Sequence, residues 1–235
     1  MKKHIKKIYD NDNDVISVII PSAGIGRRMK SYGSKSLLNI NKEKLIDIQL
    51  RNINNVIPEN DTILITGFDS DRLMSQTPHD IIKIENERYY ESNVSRSISI
   101  GLRATRDNDQ VLIIFGDVLF NDQCLKAINK EQSSIIISEH MSDDEVGCNI
   151  SKKGFLEYMM YDQPNKWGHI MYLTGRELSL FKKLSYSKSN SKKFCFEVMN
   201  DVVNAGGRFD CIQNEDIKVM DIDTSKDLQK AQEFI

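Results

Sequence analysis

A buried strand that ends in a glycine turn and a run of basic residues constrains this chain more than any other feature. Residues 15–21 (VISVIIP) are almost entirely apolar, and the small-residue turn Ser22–Gly26 follows. Basic residues come next, at Arg27, Arg28, Lys30 and Lys35. Glycines let backbone N–H groups approach a phosphate closely, and basic side chains neutralise its charge. The stretch predicts a phosphate-binding loop; the alternative is an ordinary strand-to-helix turn with solvated basic residues.

Two familiar phosphate-binding loops do not fit this stretch. The dinucleotide-binding fingerprint needs a third glycine three residues after Gly26, where Met29 stands. The Walker loop needs a lysine directly after a glycine, but Ser34 separates Gly33 from Lys35. The loop therefore indicates a different class of phosphate site.

Length and composition favour a folded domain with a substantial core. The chain has 235 residues, of which 40% are hydrophobic and 28% are charged. The net charge of −2 argues against a general nucleic-acid binder. We therefore expect no nucleic acid as a partner. No apolar run reaches the roughly 18 residues of a membrane span, so we expect no membrane as a partner either. Residues 1–14 are basic and polar without the apolar core of a signal peptide, which predicts a tail there and one domain over residues 15–235.

Cysteine usage indicates a reducing compartment. Cys124, Cys148, Cys195 and Cys211 are scattered, and none belongs to a Cys-x-x-Cys pair. This spacing suggests neither a zinc site nor a disulfide framework. We interpret them as reduced thiols and expect a cytoplasmic location.

Isoleucine-rich strands alternate with helical patterns along the chain, which predicts an α/β fold with a mostly parallel, mixed sheet flanked by helices. The predicted strands cover residues 15–21, 61–66, 81–84, 111–115, 134–138, 155–160, 169–173, 209–212 and 218–222. The predicted helices cover residues 45–56, 94–105, 176–183 and 194–205, and a last helix begins at the capping box Thr224-x-x-Asp227. The polar segment Ser185–Lys193 is predicted to be a loop or lid.

Asp117 follows the continuous apolar run Val111–Phe115 after a single glycine. Ligands of parallel α/β sheets bind at the carboxyl ends of strands. A carboxylate in that place can hold Mg²⁺ against a triphosphate. Capping of the next turn is an equally good explanation for this residue taken alone.

A second acidic pair stands near the end of the chain. The alternation of a strand puts Asp221 and Asp223 on the same face. Two carboxylates on one face repel each other unless a cation lies near them. Asp117 and Asp223 each follow a short apolar run that predicts a buried strand, and parallel strands bring their carboxyl ends to one edge of a sheet, so we expect these two residues to meet. Asp227, three residues after Thr224, is interpreted as part of the capping box.

Residues 86–102 (NERYYESNVSRSISIGL) form a polar segment that leads into a predicted helix. Asn93 and Ser95 are natural helix N-caps. Capping explains one of these residues but not the whole cluster of polar side chains around Arg96.

These motifs together resemble the nucleotidyltransferases that have a glycosyltransferase-A-like α/β fold. The loop reads Ala-Gly-x-Gly-x-Arg-Met-x5-Lys, and the Asn93–Ser97 turn, the Gly-Asp after the central strand and a C-terminal Asp-x-Asp-Thr-x-x-Asp-Leu follow in the family's order. The resemblance is greatest to the molybdenum-cofactor nucleotidyltransferase-like and small-molecule cytidylyltransferase branches; residues 195–200 (CFEVMN) resemble the Phe-Glu helix of the latter. It implies an enzyme that joins a nucleoside triphosphate, with CTP weakly preferred, to a phosphorylated small-molecule acceptor such as a sugar phosphate, phospho-alcohol or phospho-amino acid. The resemblance further implies that pyrophosphate is released and that Mg²⁺ is the cofactor.

The resemblance also implies a role for individual residues. Arg28 and Lys35 would be catalytic, and Asp117 and Asp223, with Asp221 next, would hold Mg²⁺. Lys166 and Trp167 stand where the family places acceptor-binding residues, although a lone Trp is more often a core residue and the neighbouring His169 is more often structural. The nucleotide would bind to Ser22, Ala23, Gly24, Ile25, Gly26, Arg27, Asn93 and Ser97.

Two other functions fit parts of the pattern. A glycosyltransferase of similar fold uses Asp-x-Asp to hold a nucleotide sugar, but the basic residues of the loop favour the more highly charged triphosphate. A non-catalytic nucleotide-sensing domain would bind nucleotide without turnover, and the intact acidic pair argues against it.

Overall fold

A computed structural model describes residues 15–26, 33–106 and 110–234. These residues form thirteen β-strands and seven α-helices. The strands are β1 (Ile16–Pro21), β2 (Asn39–Ile40), β3 (Glu43–Lys44), β4 (Asn60–Thr66), β5 (Ile82–Glu85), β6 (Gln110–Ile114), β7 (Val118–Phe120), β8 (Ser134–Ile137), β9 (Gly147–Ile150), β10 (Leu156–Met160), β11 (Asn165–Thr174), β12 (Asp210–Ile212) and β13 (Val219–Asp221). The helices are α1 (Leu45–Val56), α2 (Ser70–Ser75), α3 (Val94–Leu102), α4 (Gln123–Lys126), α5 (Gly175–Ser185), α6 (Cys195–Asn204) and α7 (Ser225–Phe234).

A mixed sheet of nine strands organises the described residues. Its strand order is β10-β9-β11-β6-β1-β4-β5, and β8 pairs with β11 and with β12. Strands β6, β1, β4 and β5 are parallel, whereas β11 runs antiparallel to β6 and β8. The predicted α/β class, with helices flanking a mixed sheet, is confirmed.

Alternation along β1 builds a core on each face of the sheet. Ile19 packs into a cluster with α3, α5 and α6, while Val18 and Ile20 pack into a cluster with α1. All three side chains are fully buried. A strand covered by helices on both faces has no polar side to present, which is why the run before the glycine turn is almost continuously apolar.

The sequence places most elements within a few residues of their observed bounds. Helix α1 spans Leu45–Val56 as predicted, and the capping box of α7 is confirmed, since the Thr224 N–H donates to Asp227 Oδ2 at 2.8 Å and the Asp227 N–H donates to Thr224 Oγ1 at 3.3 Å. The sequence does not predict the short elements β2, β3, α2, β7, α4 and β9. The tail at residues 1–14, Arg27 and Arg28 lie outside the described residues.

Strand β13 requires a correction, because it does not join the parallel strands of the main sheet. It pairs antiparallel with β7, and Met220 lies opposite Leu119. The Ile222 N–H also donates to the Asp117 carbonyl at 3.0 Å. The C-terminal acidic pair therefore reaches Asp117 through a separate two-stranded sheet.

No helix among the described residues is long and apolar enough to cross a membrane.

Candidate active site

A cavity of about 310 Å³ opens where β1 and β6 end. The turn after β1 forms one wall, Lys35 and Asp117 form a second, and the segment from Asn86 to Ser97 forms a third. Phe194, just before α6, completes the lining. The position agrees with the general rule that ligands bind at the carboxyl ends of parallel strands.

Close packing of two strand ends explains Gly116. A Cβ on this residue would lie 2.0 Å from Ser22 Oγ and 2.8 Å from Ser36 Oγ. Ser36 Oγ donates to Ser22 Oγ at 3.0 Å and to the Gly116 carbonyl at 2.8 Å. The serine pair thus joins the turn after β1 to the turn after β6. Gly24 has the opposite environment, since a Cβ there would meet no atom within 4 Å and its backbone is open to a ligand.

Lys35 lies between the two carboxylates that the sequence predicts as metal ligands. Its Nζ donates to Asp117 Oδ2 at 3.0 Å and also donates to Asp223 Oδ1. The three side chains are 13%, 32% and 21% exposed, in the order Lys35, Asp117, Asp223. Residues 106 positions apart (223 − 117) therefore meet at one ammonium group on the cavity wall.

These contacts favour the charged forms of Lys35 and Asp117. Burial acts to lower the pKa of Lys35, but the carboxylates of Asp117 and Asp223 outweigh it and raise that pKa above its usual value. Burial likewise acts to raise the pKa of Asp117, and the positive charges of Lys35 and His169 overcome it, so the pKa of this carboxyl is lowered. The group forms a compact arrangement of fixed charges beside the cavity.

Asp223 also belongs to a cluster of three carboxylates. Each of the three residues contributes one carboxylate oxygen, and these oxygens lie within 4.8 Å of one another; the residues are Glu145, Asp221 and Asp223. Asp221 is 3% exposed, and its Oδ2 has no hydrogen-bond partner among the described residues. Burial, followed by the charge of Glu145, raises the pKa of Asp221 to about 6. Carboxylate oxygens are the ligands that Mg²⁺ prefers, so the donor set fits a divalent cation, and the unpartnered Asp221 oxygen supports this.

His169 packs against this cluster from β11. Its Nε2 lies 3.1 Å from Glu145 Oε2, and its ring stacks on Phe115 with centroids 5.0 Å apart. Burial acts to lower the pKa of His169, but the hydrogen bond and charge of Glu145 raise it. The backbone at His169 has a φ of +55°, within the irregular pairing between Trp167 and Met171. The residue expected to be structural thus orients an acidic side chain at the site.

The polar segment before α3 forms the far wall of the cavity. Asn86 Nδ2 donates to Ser97 Oγ at 3.1 Å and to Ser92 Oγ at 3.2 Å. Asn93 binds the polar segment before α6: its N–H donates to the Ser191 carbonyl at 3.2 Å and its Nδ2 donates to the Lys192 carbonyl. Asn93 and Ser97 both line the cavity, as the nucleotide-binding prediction requires, although Asn93 makes no side-chain cap of α3.

The assignment of Trp167 to the acceptor site needs a correction. The ring is 2% exposed, its Nε1 donates to the Ile170 carbonyl at 3.3 Å, and it packs edge-on against Phe115. A buried ring presents no face to a ligand, so Trp167 has the core role that was the alternative. Lys166 Nζ donates to the Asp143 carbonyl at 2.6 Å and the Glu145 carbonyl at 3.0 Å, which stabilises the loop that carries Glu145.

Several lining residues are not among the sequence candidates. Asn86 and Tyr89 begin the same polar segment as Asn93, so the position of that segment after a strand is a signal that could have found them. Phe194 also lines the cavity. Glu145 gives no such signal, since it is the last of three consecutive acidic residues in a predicted loop.

Comparison with known proteins identifies the type of domain. Residues 18–183 match the family described as the MobA-like NTP transferase domain. The sequence has no significant match among curated proteins.

Three solved structures share the fold over almost the whole chain. CTP:phosphocholine cytidylyltransferase from Streptococcus pneumoniae is 15% identical, with a TM-score of 0.72 over 93% of this chain and 98% of that one. Inositol-1-phosphate CTP transferase from T. maritima is 14% identical, with a TM-score of 0.73 over 93% and 95%. UDP-glucose pyrophosphorylase is 13% identical, with a TM-score of 0.71 over 93% and 97%. These likenesses confirm the predicted nucleotidyltransferase fold of the glycosyltransferase-A type.

Proposed function

Because the chain belongs to the MobA-like family of NTP transferases, and is therefore a nucleotidyltransferase, we propose that it transfers a nucleotidyl group to a phosphorylated small molecule with Mg²⁺ as cofactor. CTP is the triphosphate that we place first. The observation that carries the proposal is the meeting of Lys35, Asp117 and Asp223 on the wall of a cavity that begins at the glycine turn. We assign the reaction to one domain over residues 15–235.

The triphosphate would lie along the turn after β1. Gly24 leaves room for a close approach to the backbone, and a Cβ on Gly26 would lie 3.2 Å from Lys35 Cε, so the turn and the lysine share one surface. Backbone N–H groups of Gly24 to Gly26 and the Lys35 ammonium would bind phosphate oxygens, whereas the Ser22 N–H already donates to the Ile65 carbonyl at 2.8 Å. Arg27 and Arg28, outside the described residues, complete the proposed set of nucleotide-binding and catalytic residues. Asn93 and Ser97 would contact the base or ribose.

Mg²⁺ would be held by Asp117 and Asp223, with Asp221 as the next ligand. When bound, the ion supplies neutralisation of phosphate charge and orientation of the α-phosphoryl group. Mg²⁺ is usually held by one or two protein carboxylates together with waters and phosphate oxygens, so this chain offers enough ligands.

The chemical step needs positioning more than covalent help from the protein. An acceptor phosphate oxygen would attack the α-phosphorus, the bond to the bridging oxygen would break, and pyrophosphate would leave. Lys35 would stabilise the negative charge that develops on the α-phosphoryl oxygens, because its ammonium is fixed before the reaction starts.

The structural neighbours guide the choice of substrates. Two of them use CTP and act on phosphocholine and on inositol 1-phosphate, and a third is a pyrophosphorylase of UDP-glucose. CTP therefore comes first, with a phospho-alcohol or sugar phosphate as acceptor. A cytoplasmic location belongs to the proposal because all four cysteines are free thiols.

Pyrophosphate release tests the proposal. The four common triphosphates should be screened against a panel of phosphorylated alcohols, sugars and amino acids, with and without MgCl₂. We expect Mg²⁺-dependent release with at least one pair. Transfer from a nucleotide sugar without pyrophosphate would indicate the glycosyltransferase alternative, and nucleotide binding without turnover would indicate a sensing domain.

A variant pair assigns the activity to this site. Lys35→Ala should lose about 10²–10³ in rate, the usual effect of removing one preorganised donor. Lys83→Ala is the matched control: Lys83 Nζ likewise donates two hydrogen bonds, here to the backbone carbonyls of Met74 and Thr77, but it does not line the cavity. Near-wild-type release by a folded Lys35→Ala protein would contradict the assignment.

A further inference from the structure

A row of three aromatic rings runs outward from the cavity. Phe194 lines the cavity, Phe196 stacks on it with centroids 5.9 Å apart, and Tyr161 meets Phe196 edge-on at 5.6 Å. Phe194 and Tyr161 are 47% and 46% exposed, so their faces are not covered by the rest of the protein. We call Phe194, Phe196 and Tyr161 the aromatic row.

Carboxylates surround this row. Glu197 Oε2 accepts the Phe194 N–H at 2.7 Å, which fixes an acidic group beside the first two rings. Burial, followed by the negative charges of Glu145, Glu197 and Asp144, raises the pKa of the Tyr161 hydroxyl. Glu145 in turn belongs to the acidic cluster with Asp221 and Asp223. The aromatic row therefore has the cavity at its Phe194 end and the charge of Glu145 near its Tyr161 end.

Two neighbouring lysines have partners of their own, and His169 pairs with the Glu145 carboxylate. Lys193 pairs with Asp201 at 2.5 Å, and Lys166 is held by two backbone carbonyls. An acceptor that brought only a phosphate and hydroxyl groups would add negative charge next to Glu145, Glu197 and Asp144. An acceptor with a cation at its other end would meet three carboxylates and three aromatic rings, both of which attract positive charge.

We propose that the aromatic row and its carboxylates form the acceptor subsite, and that the acceptor is an ammonium-bearing alcohol phosphate. The inference rests on the proposed function, because the acceptor must reach the nucleotide from this side of the cavity. The phosphate end points toward Lys35, and the alkylammonium end lies on the rings. A quaternary or methylated ammonium fits best, since it is attracted to ring faces with little loss of hydration.

A matched pair of acceptors tests the charge. The full chain is assayed for pyrophosphate release with CTP and MgCl₂, using phosphocholine and 3,3-dimethylbutyl phosphate, in which a neutral tert-butyl group replaces the trimethylammonium. We expect kcat/KM to be about tenfold or more higher for phosphocholine, chiefly through KM. Equal values for the two probes would overturn the inference.

Variants of the row separate a binding role from a structural one. Tyr161→Leu and Phe196→Leu should each lower kcat/KM for phosphocholine about fivefold and lower kcat/KM for the neutral probe much less, whereas Tyr161→Phe, which keeps the ring, should retain the wild-type value. Tyr158→Leu is the control, because Tyr158 is 41% exposed on β10, which ends one residue before Tyr161, but is not part of the row. Equal losses for both probes would indicate a packing role and overturn the inference.

The outcomes also distinguish this inference from the proposed function. Release with glucose 1-phosphate and none with phosphocholine would keep the function and overturn the acceptor class. If no acceptor releases pyrophosphate, the function fails, and calorimetric titration of phosphocholine and its neutral analogue into the protein then decides on the subsite alone. Tighter binding of phosphocholine, weakened by Tyr161→Leu, would support it, and no difference would overturn it.

Discussion

Replacing Lys35 by Met tests whether one ammonium group holds the acidic residues of the site together. The substitution keeps an unbranched apolar stem and removes the charge between Asp117 and Asp223. In the wild-type protein, Asp117 and Asp223 share the positive charge of Lys35. In the variant, their negative charges would lie close together without that ammonium group. We expect the folded protein to lose stability for this reason, and to regain it when another cation is supplied.

The exposure of the three side chains sets the magnitude. Removing one partner of a fully buried ion pair costs about 3–5 kcal/mol, whereas an exposed pair contributes about 0–1 kcal/mol. With side chains 13%, 32% and 21% exposed, Lys35, Asp117 and Asp223 lie between these limits. We expect a loss of about 2 kcal/mol, which lowers the Tm of a chain of this size by about 4–8 °C.

Thermal unfolding with and without MgCl₂, at matched ionic strength, measures both effects. Mg²⁺ at about 100 times its Kd stabilises a folded protein by about 2.7 kcal/mol, and the gain should be larger for Lys35→Met, where no ammonium competes for the carboxylates. Lys193→Met is the control, since Lys193 forms a partly exposed pair with Asp201 elsewhere, and it should shift the Tm little and without regard to Mg²⁺. The reasoning is refuted if Lys35→Met is as stable as the wild type and gains no more from Mg²⁺.

Three further predictions concern substitutions at the same site. Asp117→Asn and Asp223→Asn should each abolish Mg²⁺-dependent turnover in steady-state kinetics. The double variant should be little worse than either single variant, because the effects of residues that act as a unit are non-additive. A loss in the double variant equal to the product of the two single losses would contradict this. Gly116→Ala should lower the free energy of unfolding, measured with denaturant, by about 1–3 kcal/mol, since its Cβ would lie 2.0 Å from Ser22 Oγ. Adding Ser22→Gly should recover part of this loss. Asp227→Asn should keep most of the turnover and lose at most about 1 kcal/mol, because this residue caps α7; a loss of rate equal to that of Asp223→Asn would contradict the capping role.

The elements that the sequence predicts best are those with a strong period. The apolar runs of β1 and β6 are buried on both faces, and α1 repeats its apolar residues at helical spacing, so each pattern has one reasonable structure. Strand β7 has only three residues and begins directly after Asp117. Its sequence is too short to distinguish a strand from a loop.

The acidic pair shows a limit of another kind. The sequence predicts that Asp117 and Asp223 meet, and they do, but the reasoning from parallel strands is wrong for β13. A three-residue apolar strand such as Val219–Asp221 does not reveal its partner, because antiparallel pairing with β7 and parallel pairing within the main sheet bury the same side chains. The partner is decided by packing that no local pattern encodes.

Glu145 could not have been selected from the sequence for a related reason. It ends a run of three acidic residues, Asp143 to Glu145, and any of them could face solvent. Glu145 is turned inward by two tertiary contacts: His169 binds its carboxylate, and Lys166 binds its carbonyl. Both partners stand on β11, far along the chain, and the positive φ of His169 that aims the imidazole is a property of the folded strand.

The charges of the described site argue for a cation that arrives together with the nucleotide. Asp117, Glu145, Asp221 and Asp223 stand beside a cavity whose glycine turn is suited to phosphates, and a triphosphate alone would be repelled by them. Lys35 and His169 offset part of this charge, while burial, followed by the charge of Glu145, raises the pKa of Asp221 to about 6. A divalent ion between carboxylates and phosphates converts the same repulsion into attraction. The acidic cluster is therefore an unfavourable neighbour for a free triphosphate and a favourable one for its metal complex, and that difference would make binding selective for the metal complex.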